Sequence, residues 1–382
     1  MEVPGLPRFW GGAVGYISYD YVRFIEGIGE KAKDDLAHPD CVFMITDTLI
    51  IFDHVTQKMK AVALAHIDGS DPEAAYRNAT GRVDALIGRL EKGAVPPPGV
   101  PDFPASSAFA GELVADNPGL HSTFSRERFN KAVAEVVELI HAGEAIQVVL
   151  AQRLEGPMDV HPFAVYRALR TVNPSPYMFY LTLGDTTLVG ASPEVLVRRE
   201  GNVVEVRPIA GTRRRGMSGE EDRALAKELL SDEKERAEHI MLVDLHRNDI
   251  GRVCKPGTVK VDELMVVERY SHVMHICSNV TGELMEGADQ FDLLRATFPA
   301  GTLSGAAKIR AMEIIEEFEP VRRGPYGGAV GYFGFSGSMD TCITLRTIVM
   351  KGNTCYFQAG GGIVADSEPD AEHQETVNKA AA

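Results

Sequence analysis

Two carboxylate pairs stand out among the residues able to do chemistry. Glu235 and Glu238 lie three apart in a segment that predicts a helix over Asp232–Asn248, so both project from one face. Glu372 and Glu375 repeat that spacing in a predicted helix from Pro369 onward, with Lys379 a turn beyond Glu375. Two Glu-x-x-Glu faces can converge on one hard divalent cation. Mg2+ suits such a site, because it takes few protein oxygens, keeps several waters and shares its shell with an anionic substrate. Two solvated faces laced with salt bridges give the same spacing, and spacing alone does not separate these readings. No Glu-x-x-His accompanies the pairs, which argues against a di-iron carboxylate bundle.

Glycine-rich tracts are the next signal. Ala359-Gly360-Gly361-Gly362 follows a predicted strand, Thr354–Gln358, and Ala300–Gly305 precedes a predicted helix holding Lys308 and Arg310. Backbone N–H groups in such turns can receive a carboxylate or phosphate, although tight turns use the same residues. Neither tract has P-loop or dinucleotide spacing. The basic run Arg213-Arg214-Arg215, inside Pro208–Gly216, reads either as a solvated face or as the border of an anion site. His272 and His275 lie three apart, with no cysteine or second histidine cluster to complete a zinc site.

The elements that must position these residues are short and mixed. Cys41–Phe52 and Met59–His66 are rich in β-branched residues and predict paired strands. Asp71–Leu90 predicts a helix. Ser125 can cap another, with Phe129, Val133, Val136, Val137 and Ile140 on one face and Gly143 as its stop. Pro162–Thr171 is a shorter helix, and Tyr177–Leu183, Thr187–Gly190, Val195–Arg199 and Val203–Pro208 are strand-like. Ser218-Gly219-Glu220-Glu221 has the form of a capping box. Strands and helices mix without regular alternation, so the expected class is α+β. Gly-Gly-Ala-Val-Gly-Tyr occurs twice, at Gly11–Tyr16 and Gly327–Tyr332. It reads as close backbone approach, as an ancient duplication, or as matching roles in two facing sheets.

Composition bounds the rest. The 382 residues carry 39 Lys and Arg against 54 Asp and Glu, a net charge of −15. That balance argues against a nucleic-acid partner, which needs a surplus of basic residues. Five scattered cysteines form no C-x-x-C pair and no disulfide framework, as expected of reduced thiols in a cytoplasmic protein. No apolar run approaches the roughly 18 residues that span a bilayer, so no membrane partner is expected. Lys92–Pro118 is rich in proline and small residues. It divides the chain into an N-terminal region (1–92), a linker (93–120) and a core (121–382).

Longer motifs carry a resemblance. GGAVGYISYD (Gly11–Asp20), IQVVLAQR (Ile146–Arg153), NPSPYMFYL (Asn173–Leu181), ASPE (Ala191–Glu194) and PIAGTRRRG (Pro208–Gly216) come first. ERAEHIMLVDLHRNDIGRV (Glu235–Val253), FPAGTLSGAAKIRAMEII (Phe298–Ile315), RGPYGGAVGYFGF (Arg323–Phe335) and AGGGIVADSEPDAEHQETVNKA (Ala359–Ala380) follow. In this order they resemble the chorismate-utilising enzymes, and among those the large subunits of anthranilate synthases. The resemblance implies a large α/β sandwich with two mainly antiparallel sheets flanked by helices. It also implies formation of anthranilate and pyruvate from chorismate and ammonia, through aminodeoxyisochorismate, as the first committed step of tryptophan biosynthesis. Ammonia would come from a glutamine amidotransferase subunit in a hetero-oligomer. Relatives that add water to chorismate carry lysine where this chain has Gln147. Aminodeoxychorismate synthases carry lysine where it has Ala210. Both positions favour amination followed by pyruvate loss, with aminodeoxyisochorismate synthesis, aminodeoxychorismate synthesis and a non-catalytic tryptophan-binding subunit as alternatives.

The resemblance also implies roles. Mg2+ falls to Glu238 and Glu375, with Glu235 and Glu372 acting through water. Glu194 is the general acid for the 4-hydroxyl, and His275 assists pyruvate loss. Tyr326, Arg346, Gly360, Gly361 and Gly362 grip the enolpyruvyl carboxylate, while Thr212, Ala210, Gln147 and Lys379 line the site. L-tryptophan feedback falls to Asn173, Pro174, Ser175, Pro176, Tyr177 and Met178. The other half of that feedback site in relatives, a Leu-Leu-Glu-Ser tract ahead of the first GGAVGY, has no counterpart in this chain. Ala151 and Ala307 replace the more usual Ser and Pro of their motifs, with little effect expected.

Overall fold

The computed structural model describes residues 5–67, 69, 71–93, 119–270 and 273–381. Its elements begin with β1 (Gly12–Ile17), a 3-10 turn (Tyr19–Phe24), β2 (Cys41–Thr46), β3 (Thr48–Asp53), β4 (Lys58–Ala63) and α1 (Pro72–Glu91). There follow β5 (His121–Ser122), α2 (Arg126–His141), β6 (Gln147–Pro157), α3 (Pro162–Val172), β7 (Tyr177–Leu183), β8 (Thr186–Ser192), β9 (Val195–Glu200), β10 (Val203–Val206) and β11 (Ile209–Arg214). Next come α4 (Gly219–Ser231), α5 (Glu233–Gly251), β12 (Lys260–Arg269), β13 (Val273–Glu283), α6 (Gln290–Thr297), α7 (Gly301–Ser304) and β14 (Gly305–Ala306). The chain ends with α8 (Lys308–Phe318), β15 (Ala329–Gly334), β16 (Met339–Ile343), β17 (Thr347–Lys351), β18 (Thr354–Ile363) and α9 (Pro369–Ala381).

A nine-stranded sheet runs β11-β13-β10-β9-β16-β15-β1-β2, with β12 on β13. A second runs β14-β6-β18-β17-β8-β7, with β5 on β6, and β3 and β4 form a separate pair. The ladders are antiparallel and helices flank them, as the expected class requires. Ser125 caps α2 by accepting from the Arg128 amide, and Phe129, Val133, Val136 and Ile140 bury one face of it. That face packs with Val148, Leu150, Ile314 and Ile363, joining α2 and α8 to β6 and β18. Each such side chain contributes about 1.5–3 kcal/mol by leaving water.

Three expectations change. Cys41–Phe52 is two strands in two sheets: β2 pairs with β1, and only β3 pairs with β4. The break falls at Asp47, whose carboxylate takes hydrogen bonds from Arg82 and Thr48 and lies 2.9 Å from His66 Nε2. Ser218 caps α4 through the Glu221 amide, but Glu221 returns its carboxylate to the Met217 amide, so the capping box is half made. The repeated hexapeptides lie side by side in one sheet rather than in facing sheets. Val14 opposes Tyr332, Gly15 opposes Gly331 and Tyr16 opposes Val330, a local two-fold. A Cβ on Gly15 would lie 1.9 Å from the Val42 oxygen, and one on Gly331 2.2 Å from the Asp340 oxygen, so the outer strands forbid side chains at both. The expected linker, 93–120, lies largely outside the described residues, and among these no helix is long and apolar enough to cross a membrane.

Candidate active site

α5 and β11 build the first wall. Asp232 caps α5 through the Lys234 and Glu235 amides, and Glu235 and Glu238 are half-buried on one face. β11 bulges between Ala210 and Thr212, where Gly211 takes a left-handed φ of 62°. The bulge brings Thr212 opposite His275 on β13, while half-buried Ala210 opposes Ile276. His275 Nδ1 lies 3.0 Å from the Gly211 carbonyl and 3.1 Å from Thr212 Oγ1. Donation from Nδ1 to that carbonyl leaves the lone pair on Nε2. Burial lowers the His275 pKa despite the Gly211 bond, and Arg346 lowers it further, so the imidazole is neutral.

The arginine run is spent internally. Arg213 donates to Glu235 at 2.8 Å, Asp232 at 2.9 Å and Glu228 at 3.2 Å. Arg214 pairs with Glu221 and Arg215 with Asp222. The run therefore holds α4 and α5 against the sheet rather than bordering an anion site.

Glu194, between β8 and β9, is the most perturbed acid of the site. Burial pushes its pKa to about 8, although Thr302 and Arg346 pull the other way. Thr302 lies close enough to favour the charged form, yet among the described residues neither Glu194 Oε1 nor the Thr302 hydroxyl has a partner within hydrogen-bond geometry. Arg346 sits at a left-handed φ of 46° after β16 and donates to Asn173 Oδ1 at 3.3 Å. Asn173 is the C-cap of α3, so the segment expected to bind tryptophan touches a residue expected to bind substrate. Pro174, Ser175 and Pro176 lead from it to Tyr177, which donates to Asp340 at 2.7 Å, and Met178, opposite Ala191.

The second wall comes from the other sheet. Gln147 opens β6, is buried, and donates from Nε2 to Glu238 Oε1 at 3.4 Å. The sequence reads Gly360–Gly362 as a turn, but β18 continues through it to Ile363. None of the three has a positive φ; space, not conformation, demands glycine. A Cβ at Gly360 would sit 3.1 Å from Tyr326 Oη, at Gly361 3.1 Å from Glu372 Oε2 and 3.8 Å from Glu375 Oε1, and at Gly362 2.5 Å from Gln147 Nε2. Lys379 Nζ lies 2.7 Å from Glu375 and 3.1 Å from the Gly360 carbonyl, to which it donates. Glu372 accepts from Ser367 at 2.7 Å. Burial raises its pKa and the Glu375 charge adds to this, against the Ser367 bond and nearby lysines. Tyr326 is buried, with the Arg323 guanidinium 5.7 Å from its ring centre.

The structure thus gathers the expected residues into two neighbouring groups. Glu194, Arg346, His275 and Thr212 form one; Gln147, Glu238, Gly360–Gly362, Glu372, Glu375 and Lys379 form the other. Among the described residues no three His, Cys, Asp or Glu side chains surround a single point. The four glutamates stand instead as two pairs on α5 and α9. Their chemistry fits Mg2+: hard oxygens, carboxylates of Glu372 and Glu375 that come up against Gly361 because it has no side chain, and like charges that a cation would relieve. The cations after Ala300–Gly305 are paired, Lys308 with Asp249 and Arg310 with Glu144 and Glu313. That tract supplies Thr302, which the sequence reading missed, as it missed Ser367 and the Arg213–Glu235 pair. His272 lies outside the described residues.

Two antiparallel sheets flanked by helices are the architecture of one class: the chain belongs to the chorismate binding enzyme family, which matches residues 2–382. It is 50% identical over 385 residues to anthranilate synthase component 1 of Acetivibrio thermocellus, covering 100% of this chain and 76% of that protein. The Pseudomonas aeruginosa component 1 is 51% identical over 379 residues, covering 99% and 75%. The crystal structure of anthranilate synthase component I from Streptococcus pneumoniae TIGR4 superposes with a TM-score of 0.87 at 39% identity, covering 100% of this chain and 81% of that one. The menaquinone-specific isochorismate synthase of Escherichia coli, at 22% identity and a TM-score of 0.73, shares the fold.

Proposed function

We propose that this chain is the chorismate-aminating component of an anthranilate synthase. It converts chorismate and ammonia to anthranilate and pyruvate, the first committed step of tryptophan biosynthesis. Similarity over 99–100% of this chain, and over 75–76% of the component 1 proteins' own length, supports the class. The observation that carries the chemistry is Glu194, a buried carboxyl that keeps its proton at neutral pH and faces Arg346.

In this reading Glu194 donates its proton to the departing 4-hydroxyl while ammonia adds at C2 and the ring double bonds shift between them. Gln147 offers an amide and no base. Ammonia needs none, whereas water would. Neutral His275 then takes the C2 proton through Nε2, the enolpyruvyl oxygen leaves C3 as enolpyruvate, and the ring becomes aromatic. Arg346, Tyr326 and the Gly360–Gly362 backbone hold the enolpyruvyl carboxylate; Thr212 and Ala210 flank the ring and Lys379 neutralises charge beside Glu375. Glu238 and Glu375 would hold Mg2+, with Glu235 and Glu372 bonding to its waters, and the cation when bound would neutralise the ring carboxylate. A cytoplasmic glutamine amidotransferase subunit supplies ammonia, and L-tryptophan acts at Asn173–Met178.

Turnover of chorismate with ammonium salts tests the proposal, with anthranilate fluorescence and pyruvate followed together. Equal amounts of both are expected. Chorismate loss without pyruvate would move the assignment to aminodeoxyisochorismate synthesis, and no turnover by folded protein would refute the catalytic reading.

A further inference from the structure

Each acidic helix carries, directly after a glutamate assigned to the cation, a fully buried polar residue tied to the neighbouring sheet. His239 follows Glu238, and Thr376 follows Glu375; both are 0% exposed. His239 Nε2 lies 2.6 Å from Ser278 Oγ on β13, three residues beyond His275. Ser278 Oγ also accepts from the Met265 amide at 3.0 Å, where β12 departs from its register and Met265 takes a left-handed φ of 54°. Thr376 Oγ1 accepts from Gln152 Nε2 at 2.6 Å, on β6, the strand that begins at Gln147. Gln152 is itself held by Ser122, which donates to its Oε1 at 2.7 Å.

We infer that His239 and Thr376 are positioning residues that fix the rotation of α5 and α9, and so the separation of the two carboxylate pairs. The inference rests on the cation reading of those carboxylates. Neither helix has an apolar face broad enough to fix its rotation. Three of the six buried residues of α5 are His239, His246 and Asp249, and α9 buries Thr376 and Val377. Successive helical residues point about 100° apart, so a turn of the helix that moved Glu238 or Glu375 would drag its neighbour off its partner. Thr376 would keep its bond to the His373 carbonyl of its own helix, but buried His239 Nε2 and Gln152 Nε2 would each lose a partner, which opposes the motion. Contacts that orient a ligand from behind are worth about 10–100-fold in metal affinity.

The test is Mn2+ binding, read by the loss of the free-ion electron paramagnetic resonance signal, on the full chain without substrate. His239→Leu and Thr376→Val should each weaken binding by about tenfold or more. His239→Gln, whose amide nitrogen reaches the place of Nε2, and Thr376→Ser should restore it. Leu242→Ala, a core truncation on α5, should lower the melting temperature and leave Mn2+ affinity unchanged. Thr376→Val reads the same claim independently should His239→Leu fail to fold. Wild-type affinity in both apolar variants, or equal weakening in Leu242→Ala, overturns the inference. Wild-type protein that binds no Mn2+ overturns the cation reading beneath it.

Discussion

Replacing Glu194 by glutamine separates stability from catalysis in opposite directions. In the folded chain burial raises this carboxyl from 4.5 to about 8, so at pH 7 folding must take up a proton that the unfolded chain lacks. At 1.36 kcal/mol per tenfold in proton activity, the step from 4.5 to pH 7 costs about 3 kcal/mol. The sign follows: stability contributed by the bound proton is complete below 4.5, falls as pH rises, and is gone above about 8. Glutamine keeps the shape without that cost. Glu194→Gln should therefore be about 3 kcal/mol more stable than wild type at pH 7, with the gap closing towards pH 4.5. It should also lose about 10²–10⁴-fold in kcat, the contribution of a general acid. Urea unfolding at pH 5 and pH 7, beside the anthranilate assay, measures both. A variant less stable than wild type at pH 7, or a gap independent of pH, would refute the protonated carboxyl.

Other outcomes follow from the geometry. The wild-type rate should fall above pH about 8 as Glu194 ionises, seen as the alkaline limb of kcat/KM. Gly362→Ala places a Cβ 2.5 Å from Gln147 Nε2 and should cut turnover about tenfold with little change in melting temperature; unchanged turnover would remove Gln147 from the site. Chelation with EDTA should abolish turnover and Mg2+ should restore it. Arg323→Met strands Glu319, its partner at 2.6 Å, and should destabilise by about 3–5 kcal/mol in urea; a loss below about 1 kcal/mol would mean the pair is solvated.

The sequence showed the site's parts better than their assembly. Helical spacing displayed the Glu235–Glu238 and Glu372–Glu375 faces, because a three-residue interval needs no tertiary knowledge. What turned those faces towards Gln147 was a strand pairing far along the chain, which no local pattern encodes. Gly360–Gly362 looked like a turn because glycine serves both conformation and space, and only the neighbours Tyr326, Glu372 and Gln147 tell which. The arginine run looked available to an anion because its partners on α4 and α5 arrive through the fold. Cys41–Phe52 read as one strand since Asp47, the residue that breaks it, draws its reason from Arg82 on α1.

The pairing of the two hexapeptides sets the order in which the protein can be made. β1 leaves the ribosome well before β15, the partner that lies far along the chain. Until β15 emerges, the edge of β1 that it covers has no strand on it. Long-range antiparallel closure of this kind is slow and leaves apolar strands open to wrong partners. Gly15 and Gly331, which let the mature strands approach, face each other across this late seam, so a side chain at either, striking the outer strand β2 or β16, would hinder the closure that ends the wait.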